Sequence, residues 1–196
     1  MSDYAIGLIG WGTVGGGVLD ILNRDGWLLE DRCPLNVRVK AIVTRTPERP
    51  RAQDPGDAVV GSDIELITGD PEIQTVLHLV GGTDDAKDLM IACLRAGKHV
   101  VTANKALLAL HWNEVFAVAK ETGRTIAFEA AVAGAIPVVA ALRDGLVAND
   151  IAGIHGILNG TCNYILSRME LDGVPYQEAL EQAKELGYAE ADPTMD

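Results

Sequence analysis

The chain has 196 residues, 48% of them apolar and 5% aromatic, with 16 basic against 28 acidic side chains and a net charge of −12. That is enough for one large domain, or for one domain and part of a second. The acidic balance argues against a nucleic-acid footprint, so any anionic ligand must be held by local dipoles or a local Arg or Lys. No apolar run reaches membrane-spanning length, and the N-terminus lacks the order of a signal peptide. Cys33, Cys93 and Cys162 are odd in number and far apart. They read as reduced thiols, which fits a cytoplasmic protein.

The first segment, "YAIGLIG", is an apolar run ending in glycine and predicts a buried strand. "TVGGGVLDILNRDG" follows with Val14, Val18, Leu19 and Leu22 at helical spacing and a stop near Gly26. Residues 37–44 predict a second strand. Residues 44–58, "TRTPERPRAQDPGDA", are rich in Pro and charge and read as a loose surface loop. Residues 74–80 predict a third strand. "DDAKDLMIACLRAG" carries acids at its start, Arg95 near its end and Gly97 after it, the punctuation of a helix. "HVVTAN" is another strand, "HWNEVFAVAKETG" a helix stopped by Gly123, and "TIAFEAA" a further strand. Strand and helix alternate to about residue 147, which implies a Rossmann-type, doubly wound parallel α/β sheet. The pattern then changes. Residues 151–158 read as a strand, followed by two helical stretches. Residues 1–147 are therefore expected to form a dinucleotide-binding domain, and residues 148–196 the beginning of a second, truncated α+β domain.

Gly10, Gly12 and Gly15 form G-x-G-x-x-G between a predicted strand and a predicted helix. In that context Gly10 allows the tight turn, Gly12 lets a pyrophosphate approach the backbone, and Gly15 lets helix and strand pack closely. Thr13 and Val14 lie at the helix N-terminus, whose N–H groups face the phosphates. A glycine-rich turn without a ligand is the plainer alternative. An NAD-selective site usually shows an acid at the end of the second strand. Here that strand ends in "IVTRT". Arg45 can pair with a 2′-phosphate, so the expected cofactor is NADP with NAD tolerated; a solvated loop charge is the other reading of Arg45.

"GLIGWGTVGGGV", "AGKHVVTANKALLA", "FEAAVAGAIPVV", "GILNGTCNYILSRM" and "ELGYAEADPTMD" stand in the order and spacing of homoserine dehydrogenase, and the chain resembles that family from about residue 4 to its end. The resemblance implies an oxidoreductase that interconverts homoserine and aspartate 4-semialdehyde with NADPH or NADH, a step toward threonine, methionine and isoleucine. It implies action on a small molecule. The open edge of the truncated second domain invites association with another copy, so a homodimer is expected, and the charge and the lack of a long apolar run argue against nucleic acid and membrane as partners.

The same resemblance assigns roles. Lys105 lies beside the nicotinamide and the reacting carbon, where a cation stabilises charge developing on the carbonyl oxygen. Taken alone, Lys105 also reads as a helix-flanking surface lysine. Gly81 and Gly82 permit close backbone approach. Thr83 faces the nicotinamide side, and Asp84 is a candidate cap for the next helix. The family usually has Glu where this chain has His78, and a half-buried neutral histidine is the plainer reading. Glu129 with the backbone carbonyls of Val132, Gly134 and Ile136 resembles a monovalent-cation loop, an all-oxygen set suited to sodium; a Glu paired with a base beside a tight turn is the alternative. Glu190 matches the family glutamate that binds the substrate ammonium. Asn159, Gly160, Thr161 and Gly187 line the substrate side. Cys162 stands where threonine is commoner and reads as a small buried residue.

The family pattern continues beyond "ADPTMD" into a helix with an Asp and the principal proton-donating Lys. The chain is accordingly expected to be a fragment that binds cofactor without useful turnover. Two other readings stay open: a different NADP-dependent aldehyde or amino-acid dehydrogenase, and a nucleotide-sensing module without chemistry.

Overall fold

The computed structural model describes residues 2–157 and 159–188. They fall in two compact units, Met1–Ala131 and Val132–Asp196.

The first unit is built on β1 (Ser2–Ile9), α1 (Thr13–Arg32), β2 (Leu35–Val43), β3 (Val59–Gly61), α2 (Glu65–Thr68), β4 (Ile73–His78), α3 (Asp84–Arg95), β5 (His99–Thr102), α4 (Lys105–Thr122) and β6 (Ile126–Ala127). The six strands pair in the order β3-β2-β1-β4-β5-β6, and every pairing is parallel. This is the expected doubly wound sheet. Successive side chains of a strand point to opposite faces, and the core divides accordingly. Leu8 and Ile42 meet Leu19 of α1 on one face. Ala5, Ile9 and Val43 meet Ile67, Met90 and Leu107 from α2, α3 and α4 on the other. A register shift in the β1–β2 pair, from Ile6↔Val39 to Gly7↔Ala41, passes over Lys40. Val39 and Ile42 thereby share one face despite their odd spacing.

Two helix boundaries and one cap differ from those the pattern predicts. α1 runs through Gly26 to Arg32 and stops where Cys33 turns extended before Pro34. Proline disfavours helical backbone at the residue before it, while one internal glycine costs only about 1 kcal/mol. α4 begins six residues earlier than its apolar pattern suggested, with a kink at His111 (φ −121°). Asp84 does not cap α3: Thr83 holds the N-cap position without a side-chain hydrogen bond, and Asp84 is the first helical residue.

In the second unit, a short turn at α5 (Val138–Ala140) widens into a π-type turn over Ala141–Gly145 and is followed by α6 (Gly160–Asp172) and α7 (Tyr176–Glu185). Ile165, Ala179, Leu180 and Ala183 form its core. The strand expected over 151–158 is not formed in 151–157, and Leu158 lies outside the described residues. A strand needs a ladder partner, and the described residues of this unit contain no other strand. Among the described residues no helix is long and apolar enough to cross a membrane.

Candidate dinucleotide and carbonyl site

In this strand order the chain reverses direction between β1 and β4, and the crevice beyond their carboxyl ends is where ligands of such sheets sit. The loops after β1, β2, β4 and β5 all belong to the first unit. They carry Gly10–Gly15, Arg45, Gly81–Thr83 and Lys105 respectively.

The three motif glycines are required for three different reasons. Gly10 has φ +98°, and a Cβ there would lie 2.7 Å from the Leu79 carbonyl oxygen. A Cβ on Gly15 would lie 2.1 Å from the Gly10 carbonyl oxygen, so α1 can approach β1 only with glycine here. A Cβ on Gly12 would meet no atom within 4 Å. The open space is therefore at Gly12, where a pyrophosphate needs it. Gly12 is the N-cap of α1 and offers no side-chain cap. The first helical bond joins the Gly16 N–H to the Gly12 carbonyl. The N–H groups of Thr13, Val14 and Gly15 thus have no intrahelical acceptor, and no acid stands in the first turn. This cradle fits a dinucleotide phosphate. Across the crevice Gly81 and Gly82 are also open where a Cβ would stand, and Gly82 has φ +88°.

Beneath these loops lies a polar network that the sequence reading passed over. His78 is wholly buried. Its Nε2 lies 2.9 Å from the Ala86 carbonyl oxygen, and a carbonyl only accepts, so Nε2 carries the proton. The Thr102 hydroxyl donates to the His78 carbonyl at 3.0 Å and accepts from the Asn104 N–H at 3.1 Å. The Asn104 amide donates to the carbonyls of Val80, at 3.1 Å, and Gly82, at 2.7 Å. Its Oδ1 caps α4 by accepting from the Leu107 N–H at 2.9 Å. One side chain thus ties the glycine turn after β4 to the helix start that bears Lys105. Asn104 carried a signal: asparagine is a preferred N-cap. His78 is neutral because burial pushes its pKa below the usual histidine value, its hydrogen bond to Ala86 opposing that shift.

Lys105 is the first residue of α4 and is exposed. Arg45 is exposed just past β2. The Pro-rich segment after it is not loose. The Arg51 guanidinium stacks 4.7 Å from the Trp11 ring and donates to the Trp11 carbonyl at 3.0 Å. Gln53 packs over Gly16, where a Cβ would lie 2.9 Å from its side chain. Nothing in the sequence marked Arg51.

In the second unit Asn159 caps α6, its Oδ1 accepting from the Cys162 N–H at 2.8 Å. Gly160 opens that helix. Thr161 is buried and donates its hydroxyl to the Tyr188 carbonyl. Gly187, at φ +74°, ends α7 in a left-handed turn in which the Tyr188 N–H reaches the Ala183 carbonyl. Asn159, Gly160, Thr161 and Gly187 are thereby gathered at one end of the α6–α7 pair. Glu190 lies outside the described residues. Glu129 opens a short 3-10 turn that ends the first unit. Val132, Gly134 and Ile136 belong to the second, in a stretch where Ala133 (φ 47°) and Ala135 (φ 67°) are left-handed. Among the described residues no cluster of three or more His, Cys, Asp or Glu side chains is placed to hold a metal.

Comparison with known proteins matches residues 10–129 to the homoserine dehydrogenase NAD binding domain and residues 137–196 to the homoserine dehydrogenase domain that follows it. The chain belongs to the homoserine dehydrogenase family. The homoserine dehydrogenase of Pseudomonas aeruginosa is 46% identical over 196 residues, and that of Neisseria gonorrhoeae 43%. Each comparison spans 100% of this chain and 45% of the relative. The crystal structure of a homoserine dehydrogenase from Thiobacillus denitrificans superposes with a TM-score of 0.90 at 44% identity, covering 99% of this chain and 45% of that one. The chain thus spans about half the length of the relatives it matches. As a member of this family it carries a nicotinamide-cofactor domain of an oxidoreductase.

Two substitutions separate the jobs of the glycines. Gly12→Ala leaves thermal unfolding unchanged and lowers NADPH affinity at least about tenfold by intruding on the phosphate. Gly15→Ala forces α1 off β1 and lowers the unfolding midpoint itself. Calorimetry and cofactor titration on both variants check this.

His78 gives a pH signature. An ordinary histidine takes up a proton below about pH 6.5, as the unfolded chain will, while the buried folded form resists it. This group contributes no pH dependence above that value and costs stability as pH falls below it. Denaturant unfolding between about pH 7.5 and 5.5 will show a fall in stability that His78→Gln reduces.

Proposed function

We propose that this chain supplies the cofactor-binding half of a homoserine dehydrogenase, interconverting L-homoserine and L-aspartate 4-semialdehyde with NADP, and with NAD tolerated. The observation that carries the reading is the convergence of an open Gly12 cradle, the paired glycines after β4 and Lys105 at the carboxyl edge of one parallel sheet. The bound nicotinamide supplies the hydride. The N–H groups of Thr13, Val14 and Gly15 hold the pyrophosphate. Gly82 and Thr83 let the backbone lie against the nicotinamide. Lys105 presents a cation to the carbonyl oxygen, where charge grows during reduction. Its place at the start of α4, fixed by the Asn104 cap, supports that role.

Residues 148–196 are the beginning of the substrate domain in this reading. Asn159, Gly160, Thr161 and Gly187 line the substrate side, and the Glu190 carboxylate receives the substrate ammonium. Family resemblance supports these roles. A sodium ion held by Glu129 and the carbonyls of Val132, Gly134 and Ile136 completes the assignment. The left-handed Ala133 and Ala135 support it, since each such alanine costs about 1–2 kcal/mol. A homodimer, suggested by the open edge expected of the second domain, and a cytoplasmic setting, suggested by three cysteines odd in number and far apart, belong to the same reading.

Arg45 sets the preference for NADP. It is exposed just past β2, at the corner where NAD-selective sites hold an acid, and this supports the reading. Titration with NADPH and NADH tests this. The chain binds NADPH more tightly, and Arg45→Ala removes that preference while NADH affinity holds. Saturable binding of neither dinucleotide overturns the cofactor reading. In the whole protein, Lys105→Ala lowers kcat for homoserine oxidation by about 10²–10³-fold, the range for loss of one charge-stabilising group. An unchanged kcat removes Lys105 from the chemistry.

A further inference from the structure

The segment joining β2 to β3 runs back along α1 as a strap. Asn23 of α1 donates to the Asp54 carbonyl at 2.9 Å. Gln53 donates to Asp20 at 3.3 Å. Gly16 leaves the space into which Gln53 packs. Where the strap reaches Trp11 of the glycine loop, Arg51 makes the contact. Its Nε donates to the Trp11 carbonyl at 3.0 Å. One terminal nitrogen donates to the Arg49 carbonyl at 2.8 Å. The other donates to the hydroxyls of Thr44, at 3.1 Å, and Thr46, at 3.2 Å. The guanidinium lies over the Trp11 ring, and Trp11 in turn packs against Leu8, Leu19 and Ile42.

A guanidinium has five N–H donors. Four of the five are spent on the protein itself. A two-point grip on a phosphate would require breaking bonds already made. The bonds join two subsites: the Gly10–Trp11–Gly12 turn, which faces the pyrophosphate, and the Thr44–Thr46 corner, which faces the ribose.

We infer that Arg51 is a positioning residue of the dinucleotide site, a clamp that fixes the glycine loop against the β2 corner before the cofactor arrives. The inference rests on the reading of this cleft as a nicotinamide dinucleotide site. A clamp of this kind acts on what NADH and NADPH share. It also lowers the ordering cost of binding, the general way in which preorganisation raises affinity.

The test is a pair of titrations, NADH and NADPH, on the chain and on Arg51→Ala, Arg51→Lys and Arg45→Ala. Arg51→Ala weakens both dinucleotides by the same factor, about tenfold. Arg51→Lys keeps a cation over Trp11 and recovers part of the loss. Hydrogen exchange in the absence of ligand supplies a local readout. Amides of residues 10–16 exchange faster in Arg51→Ala, while those of β5 and α4 do not change. A loss confined to NADPH overturns the inference and makes Arg51 a direct phosphate ligand like Arg45. Unchanged affinity for both also overturns it, as does faster exchange spread evenly over the whole first unit. If the unaltered chain binds neither dinucleotide, the cofactor reading fails first and the clamp with it. If it binds and Arg51→Ala binds equally well, only the clamp fails.

Discussion

The distance between α1 and β1 is the constraint on which the rest depends. Where Gly15 passes the Gly10 carbonyl, even a methyl group would sit 2.1 Å from oxygen. That closeness aims the first N–H groups of α1 into the crevice. It also brings Leu19 down onto Leu8 and Ile42, so one contact sets both a face of the core and the mouth of the site. The opposite wall is set differently. Asn104 spans from the turn after β4 to the first turn of α4, so hydrogen bonds fix the separation there. One wall is held by the absence of side chains and the other by a single well-placed one.

The parts legible in the sequence were those with a period or a fixed offset. Five of the six parallel strands and the glycine turn follow from apolar runs punctuated by Gly and from a motif whose three positions have separate steric reasons, whereas β3, only three residues long, shows no run of its own. Family likeness over the whole length then supplied what no period encodes, including the weight placed on Lys105. Cooperative and long-range features escaped. The start of α4 escaped because its opening residues, "KALLAL", are apolar nearly all round and present no distinct face, whereas those after His111 do. The chain's run through Gly26 was missed because a local stop signal lost to a stronger one eight residues later, at Pro34.

Arg51 and His78 illustrate two kinds of silence. Arg51 sits among prolines and charges, a composition that reads as loose. Its partner Trp11 comes from another loop 40 residues away, and no sequence window contains both. His78 was read as half-buried and neutral. It is neutral and entirely buried, because Ala86 and Thr102 satisfy its ring and its backbone from two different elements. In both cases the side chain's role is defined by groups brought in by the fold. The second unit posed the converse difficulty. The predicted strand over 151–158 has the right residues but, within the described part of that unit, nothing to pair with. Strand propensity without a neighbour does not make a strand.

The ends of the sheet have a bearing on how copies of this molecule meet. Its outermost strands are β3, of three residues, and β6, of two. Between them β2 is paired with β1 on one side but meets β3 only over Ala41–Val43, so, among the described residues, 35–40 of β2 have no strand partner on the outer side. That stretch carries Arg38 and Lys40, both paired with Glu72, beside the register shift that passes over Lys40. Charge and irregularity along an edge discourage cross-molecule β pairing, so the sheet is guarded by its side chains there and by brevity at β3 and β6.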